Sequence, residues 1–458
     1  MTTQDTKPLT CLILAAGLGT RMKSDKPKVL HKLCGKPMVE HVVETVRKLS
    51  PDQIYLVVGY KQELLREHFG DSVGYVSQEA QLGTGHAVMQ AREQLSAHKG
   101  AVLVLYGDVP LLTKQTLSTL LEKHWKSKAA ATLVTTRVKD PTGFGRIIRD
   151  KSGRITGIIE EKDATAAQRR IREVNPGIYC FDNQKLMAAL PKLDTQNTQQ
   201  EYYLTDVIGI LVKQKEKVET VTTSDETEIM QVNDRRHLAK INRIMHNRVL
   251  DRLMDEGVTI IDPATTFVSG TVKIERDVTV YPFSYIEGFT TIQSGTVIGP
   301  QTYITDSQIG RNVVIAMSYL SSCVVRDNSR IGPYSHLRPE TLICENVHIG
   351  NFVEVKKSLI EEGSKANHLS YIGDAKIGKG VNIGAGTITA NYDGVRKNET
   401  IIEDGASIGS GTVLIAPVRV GKKAVTGAGA IVAKRHDIPP YAVYVGMPAR
   451  ELPTEKKV

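Results

Sequence analysis

Aliphatic residues fall on every sixth position of the C-terminal half, in three runs, and nothing else in the chain narrows its fold as much. The first run is Ile274, Val280, Ile286, Ile292, Ile298 and Ile304, and the second is Val325, Ile331, Leu337, Ile343, Ile349 and Val355. The third is Ile402, Ile408, Leu414, Val420, Thr426 and Val432, with small residues four places on at Ala406, Thr412, Ala424 and Ala430. A period of six fits neither a helix nor an alternating strand; it is the repeat of a parallel β-helix, each hexapeptide forming one short face of a coil. A single coil cannot bury its inward aliphatics, so coils must stack, and the stack presents flat outer faces suited to self-association. A pure scaffold would show the same repeat, so function has to be sought in other residues.

The first 230 or so residues follow another pattern. Short apolar runs such as CLILAA (11–16), IYLVVG (54–59) and AVLVLYGD (101–108) alternate with helical patterns such as MVEHVVETVRKL (38–49) and QTLSTLLEKHW (115–125). That alternation predicts βαβ units and a Rossmann-like, mainly parallel sheet. Between the halves, Leu238, Ile241, Met245, Val249, Leu253 and Met254 recur at helical spacing, with Gly257 and Pro263 as stop signals. The expected organisation is an α/β domain over 1–232, a connecting helix over 233–257 and a β-helix over 258–458. At 458 residues the chain exceeds what one core holds, which suits about two to four domains.

No apolar run is long enough to span a bilayer, and the N-terminal residues lack the basic, apolar and small-residue order of a signal peptide, so a cytoplasmic protein without an integral membrane segment is expected. The five cysteines form no CxxC pair, which argues against a zinc site or disulfide framework. A formal charge of +9 is spread along the chain with only 5% aromatic residues; anionic small substrates account for it as well as nucleic acid does, and ordinary surface charge accounts for most of it, so no nucleic-acid partner is expected.

In the N-terminal half, LILAAGLGTRM puts Gly17 and Gly19 in a loop after the first strand, where backbone amides can approach a phosphate. Met22 stands where a dinucleotide fingerprint needs a third glycine, and no GKS or GKT follows, so neither a nicotinamide site nor a P-loop is read. Arg21, and Lys28 in KPKVLH, add two cations for the phosphates of a nucleoside triphosphate. Asp108, in YGDVPL at the carboxyl end of a strand, suits Mg²⁺, with Asn233 of MQVND as a second oxygen donor. Taken singly, either residue also reads as a turn or cap.

GxGTRM with PKVLH, QLGTGHA (81–87), YGDVPL, DPTGFGRI (140–147), GIIEEKDA (157–164), EYYLTD (201–206), NHLSYIGD, VNIGAGTITANYDG and IGSGTVLIAPV occur in this order. Over about residues 11–435 the chain resembles the bacterial bifunctional N-acetylglucosamine-1-phosphate uridylyltransferase and glucosamine-1-phosphate N-acetyltransferase family. The resemblance implies a left-handed β-helix, assembly as a homotrimer through it, and synthesis of UDP-N-acetylglucosamine from acetyl-CoA, UTP and glucosamine 1-phosphate with Mg²⁺. It implies that Ala15, Ala16, Gly17, Gln78, Gln81, Gly83, Thr84, Tyr106 and Gly107 bind the nucleotide, with Gly145, Glu160 and Asn175 on the N-acetylglucosamine. Arg21 and Lys28 would act at the phosphates, and Asp108 and Asn233 would hold the metal. A carbonyl and amide pair from glutamine matches the edge of uracil.

For acetyl transfer, a hydrophilic cluster interrupts the hexapeptides at HLRPE (336–340), EVKKS (354–358), ANHLSYIGD (366–374) and TANYDG (389–394). The chemistry needs a base for the ammonium, donors for an oxyanion and cations for the phosphate. By resemblance His368 is the base, Arg338, Lys356, Tyr371 and Asn382 bind glucosamine phosphate, and Ala385, Asn391, Tyr392, Ser410 and Ala428 meet acetyl-CoA. Pro176, Phe144 and Asn367 depart from the family pattern, and Pro176 bears on the fine geometry of sugar binding. The tail PPYAVYVGMPARELP (439–453) resembles that of simpler hexapeptide acyltransferases, with Arg450 toward coenzyme A or merely capping the last coil. The alternatives are a monofunctional sugar-1-phosphate nucleotidyltransferase with a non-catalytic β-helix, against which the Arg338, Lys356, His368, Asn391 and Tyr392 cluster speaks, and a nucleotide-sensing binding protein.

Overall fold

The computed structural model describes residues 7–452, so Pro453 of the tail motif lies outside the described residues. The chain divides into two compact units, Met1–Arg243 and Ile244–Val458. In the first, β1 (Leu9–Leu14), β2 (Gln53–Val58), β3 (Gly74–Ser77) and β4 (Ala101–Tyr106) pair in parallel in the order β3-β2-β1-β4. These are the apolar runs of the sequence, and Cys11, Leu12, Leu56, Val57, Val102 and Val104 are fully buried, as parallel strands covered on both faces require. Beyond β4 the sheet turns largely antiparallel. There β5 (Ala131–Arg137), β6 (Gly145–Arg149), β7 (Ile155–Ile159), β8 (Glu173–Asn175) and β9 (Tyr179–Asp182) extend it, and β10 (Val218–Thr222) pairs in parallel with β5. Helices such as α1 (Met38–Arg47) and α2 (Lys114–Ser127) alternate with the strands, α1 burying Val39, Val42, Val43 and Val46 on one stripe.

Helix α3 (Arg235–Asp255) occupies the connecting segment. It ends in a Schellman arrangement, with Gly257 at φ 93° and the Val258 N–H donating to the Leu253 carbonyl at 2.9 Å.

The second unit is a stack of short parallel strands in three sheets of 12, 10 and 9 strands. Every aliphatic of the three predicted runs is buried and meets its counterpart a coil away, as Ile286 meets Ile304 and Ile331 meets Ile349. Buried hydroxyls four places on bridge coils: Thr296 Oγ1 donates to the Gly310 carbonyl at 2.8 Å and Ser364 Oγ to the Gly378 carbonyl at 2.6 Å. The runs separate in sequence because some inward steps are five residues, as from Ile304 to Ile309 and from Val355 to Ile360, and because the loop after Asn391 is inserted before Ile402. Each buried aliphatic contributes roughly 1.5–3 kcal/mol.

Candidate active sites

The first site is a cleft of about 520 Å³ at the carboxyl ends of β1 and β4. Gly19, at φ 62°, starts a short 3-10 turn over Thr20–Met22, which Met22 anchors by burying its side chain and so leaves Arg21 facing outward. Met22 thus fills the place of a third glycine with an apolar pin. A second turn, Lys28–Leu30, buries Val29 and Leu30 and aims Lys28 at Asp108, with which its ammonium forms an ion pair. A Cβ on Gly19 would stand 2.5 Å from that of Lys28, so the two loops are packed together and glycine is required. The Arg21 guanidinium donates to Asn233 Oδ1 at 2.9 Å. The cations and the two oxygen donors named from sequence therefore meet across the cleft.

Gln78 and Gln81 lie on the same wall. Gln81 Nε2 donates to the Ala16 carbonyl at 2.8 Å and Gln78 Nε2 to the Gly83 carbonyl at 3.2 Å, which fixes both side-chain amides at the cleft wall. The EYYLTD segment supports this wall from behind. Gly85 N–H donates to the Tyr202 carbonyl at 2.7 Å and Leu204 N–H to Thr84 Oγ1 at 3.0 Å, while a Cβ on Gly83 would sit 2.6 Å from the Tyr202 oxygen. At the far end, Glu160 accepts from Thr205 Oγ1 at 3.0 Å, and burial raises its pKa against that bond. Asn175 holds its own turn, donating to the Tyr179 hydroxyl at 2.6 Å and accepting from Gly177 N–H at 3.2 Å. Pro176 is buried in that turn, and Gly177, at φ 81°, lies flat against the Tyr106 ring.

Ala15, Ala16, Gly17, Arg21, Lys28, Gln78, Gln81, Gly83, Thr84, Tyr106, Asp108, Gly145, Glu160, Asn175 and Asn233 all line this cleft. Gly107 does not: it sits behind the strand end, its N–H donating to the Leu14 carbonyl at 2.9 Å. Phe144 lines the wall, as do Gln199, Glu201 and Gln231, which the sequence reading missed. Gln231 was legible, since it flanks buried Val232 opposite Asn233, the alternation that puts two side chains on one face.

A metal between these groups is chemically reasonable. Asp108 and Asn233 offer hard oxygen donors, and each already faces a cation, Lys28 and Arg21 respectively. Among the described residues no three His, Cys, Asp or Glu gather for a metal, so an ion here would need ligand phosphates to complete its shell, which is how Mg²⁺ is usually held.

The residues named for acetyl transfer lie on the β-helix in two groups. On the 10-stranded sheet, Arg338 and Lys356 sit on consecutive coils, joined where Arg338 N–H donates to the Val355 carbonyl at 2.9 Å. Arg338 pairs with Glu354 at 2.8 Å. Tyr371 lies on the next coil, and Asn391, buried, donates to the Asp374 carboxylate. Tyr392 opens the loop that ends at Lys397, to which it is bridged. Lys397 was not read from sequence because it belongs to no repeat; the ammonium of Lys356 beside it lowers its pKa.

The second group is a column at the turns from the 12-stranded to the 10-stranded sheet. Gly386 N–H donates to the His368 carbonyl at 3.4 Å, Gly411 N–H to that of Ala385 at 2.7 Å, and Gly429 N–H to that of Ser410 at 2.7 Å. His368, Ala385, Ser410 and Ala428 therefore stack coil on coil, with His368, Ser410 and Ala428 exposed. Asn382 stands apart from Tyr371, on the 12-stranded sheet. Asn367, beside His368, buries Oδ1 without a hydrogen-bond partner. Arg450 lies in an exposed strand pairing with Val445, within the described tail.

Comparison with known proteins agrees with this division. Residues 10–228 match a family described as nucleotidyl transferase, and residues 322–357 match one described as bacterial transferase hexapeptide (six repeats). A bifunctional protein GlmU of Carboxydothermus hydrogenoformans is 49% identical over 434 residues, 95% of this chain and 96% of the relative. Others so named are 48% identical in Enterococcus faecalis, covering 89% of each chain, and 46% identical in Brevibacillus brevis, covering 97% of this chain and 95% of the relative. Among the described residues no helix is long and apolar enough to cross a membrane.

Proposed function

The chain belongs to the bifunctional GlmU family, and from that premise we propose that it makes UDP-N-acetylglucosamine by two transfers at two sites. Acetyl-CoA acylates glucosamine 1-phosphate on the β-helix, and the N-acetylglucosamine 1-phosphate formed then displaces pyrophosphate from UTP in the N-terminal cleft. Support is strongest from that cleft, where Arg21, Lys28, Asp108 and Asn233 share one space with the amides of Gln78 and Gln81 and the carboxylate of Glu160.

In uridylyl transfer, Gln78 and Gln81 receive the uracil edge and Glu160 accepts from sugar hydroxyls. A sugar-phosphate oxygen attacks the α-phosphorus in line as the bond to the pyrophosphate oxygen breaks. Arg21 and Lys28 stabilise the charge gathering on the phosphates, and positioning supplies most of the acceleration. Asp108 and Asn233 would hold Mg²⁺, which when bound neutralises phosphate charge.

In acetyl transfer, Arg338, Lys356 and Lys397 take the sugar phosphate. His368 removes a proton from the ammonium, the freed amine attacks the thioester carbonyl, and the departing thiolate of coenzyme A takes a proton as the amide forms. Ala385, Ser410 and Ala428 form the bed for acetyl-CoA, with Asn391 and Tyr392 at the junction of the two substrates. Assembly as a homotrimer through the β-helix is part of the proposal. Its support is an exposed apolar column at the same turns, where Phe283, Tyr334, Phe352 and Leu369 are 62%, 54%, 57% and 63% exposed at positive φ. The cytoplasm, which holds all these substrates, is the proposed location.

Incubating the chain with glucosamine 1-phosphate, acetyl-CoA, UTP and Mg²⁺ while following free thiol and pyrophosphate tests the proposal. Both products are expected, chelation of Mg²⁺ should stop only pyrophosphate release, and His368→Ala should stop only thiol release. Pyrophosphate from N-acetylglucosamine 1-phosphate without any thiol release would reduce the β-helix to a scaffold.

A further inference from the structure

The N-terminal unit has a second cavity, of about 490 Å³, nearly as large as the catalytic cleft and at the opposite ends of the same strands. Its wall includes Ala101, the first residue of β4, whereas the catalytic loops follow the last residues of β1 and β4. Nothing in either transfer uses this space.

Its lining is unusual for a fold crevice. Lys7, Lys99, Lys128 and Lys185 face only two carboxylates, Asp182 and Glu216. One pair is closed, Lys185 Nζ lying 2.5 Å from Glu216 Oε1, and the Asp182 carboxylate accepts from Lys185 N–H at 3.0 Å. The side chains of Lys99 and Lys128 make no ion pair or hydrogen bond among the described residues, so the cavity carries uncompensated positive charge. Lys128 is fixed in place as the cap of α2, at φ 51°, with its N–H donating to the carbonyls of His124 and Trp125. His124 adds no charge to the wall: buried against Thr132 at 3.0 Å, its pKa falls to about 4.

Beside these lysines stands Trp125, the one tryptophan of the sequence, half-buried and lining the cavity. Lys7 Nζ lies 5.5 Å from its ring centroid, a cation–π contact that a ring stacking on the indole would share or displace. A flat indole wall with free ammonium groups beside it is complementary to a flat ring that carries anionic substituents. A bare phosphate would leave the indole and most of the volume unused, since cavities of this size hold whole small molecules.

We propose that this cavity binds a mononucleotide, its base against Trp125 and its phosphates on Lys99 and Lys128. The site is separate from the UTP cleft and does not depend on how that cleft works.

Because Trp125 has no competitor in the sequence, its fluorescence reports on this site alone. The full-length protein is titrated with ATP without Mg²⁺, exciting at the red edge where tyrosine and adenine are silent. Saturable quenching is expected, unchanged in Arg21→Ala and weakened about tenfold or more in the Lys99→Glu/Lys128→Glu double variant. Both lysines are exposed, so that variant should keep its uridylyl transfer rate, which shows that it is folded. Absence of saturable quenching, quenching unaffected by the two glutamates, or equal quenching by inorganic phosphate alone each overturns the assignment.

Discussion

The two proposed sites are built in opposite ways. The N-terminal cleft draws on loops far apart in sequence, from Ala15 through Gln78 and Asp108 to Asn233, gathered because parallel strands end together. The β-helix site is spread along a surface, with His368, Ala385, Ser410 and Ala428 stacked coil on coil in a single column. A pocket can enclose a substrate with one chain; a solenoid face offers rows of side chains but no walls. The first design should therefore fail by loss of single side chains, and the second also by loss of neighbouring copies.

The sharpest separation should come from Lys28→Ala. It removes a phosphate cation and leaves the Asp108 carboxylate without its partner, so pyrophosphate release should fall about 10²–10³-fold. Thiol release should stay at the parent rate. A parallel loss of both activities would mean that the two units do not work independently.

How much of each site could be read in sequence follows from the same contrast. On the β-helix, burial of Ile286, Ile331 and Leu414 was legible because a fixed period places each of them inward. Lys397 was not, since it reaches Lys356 from an inserted loop that obeys no period. In the cleft, Asp108 was legible as a carboxylate at a strand end, and Arg21 and Lys28 as cations in the loop after the first strand. The work of EYYLTD was hidden, because Tyr202 acts through its carbonyl on Gly85, and backbone contacts leave no residue type to read. Gly107 illustrates the converse: it belongs to a telling motif, yet its place is beneath the cleft, against Leu14.

Core damage should divide along the same line. Ile349 is fully buried between Ile331 and Ala366, and Ile349→Ala should cost about 2–5 kcal/mol in the β-helix. Calorimetry should show a lowered transition for that unit while uridylyl transfer persists at moderate temperature. A single transition shifted as a whole would show the two units unfolding together.

The open face leads to a smaller effect that depends on concentration. Phe352 is exposed and stacks on Tyr334 with ring centroids 5.3 Å apart, an apolar pair that the proposed assembly would bury. Phe352→Asp should weaken assembly by about 2 kcal/mol, seen by sedimentation, and acetyl transfer should fall on dilution before uridylyl transfer does. A variant that stays assembled, with both activities equally resistant to dilution, would place the interface elsewhere.

The mildest effect distinguishes a binding carboxylate from a structural one. Glu160 is pushed up by burial more than the Thr205 hydroxyl pulls it down, with Asp206 adding to the rise. The folded state therefore holds the Glu160 proton more tightly than the unfolded state does. Its contribution is greatest below the ordinary carboxylate range and is lost as pH rises through the raised pKa. Glu160→Gln cannot ionise, so it avoids that loss: its urea midpoint should match the parent's in acid and equal or exceed it at neutral pH. The same change removes an acceptor for sugar hydroxyls and should raise KM for N-acetylglucosamine 1-phosphate roughly tenfold, with KM for UTP unchanged. A variant destabilised equally at every pH, with both KM values raised together, would instead make Glu160 a strut for Thr205 rather than a contact for the sugar.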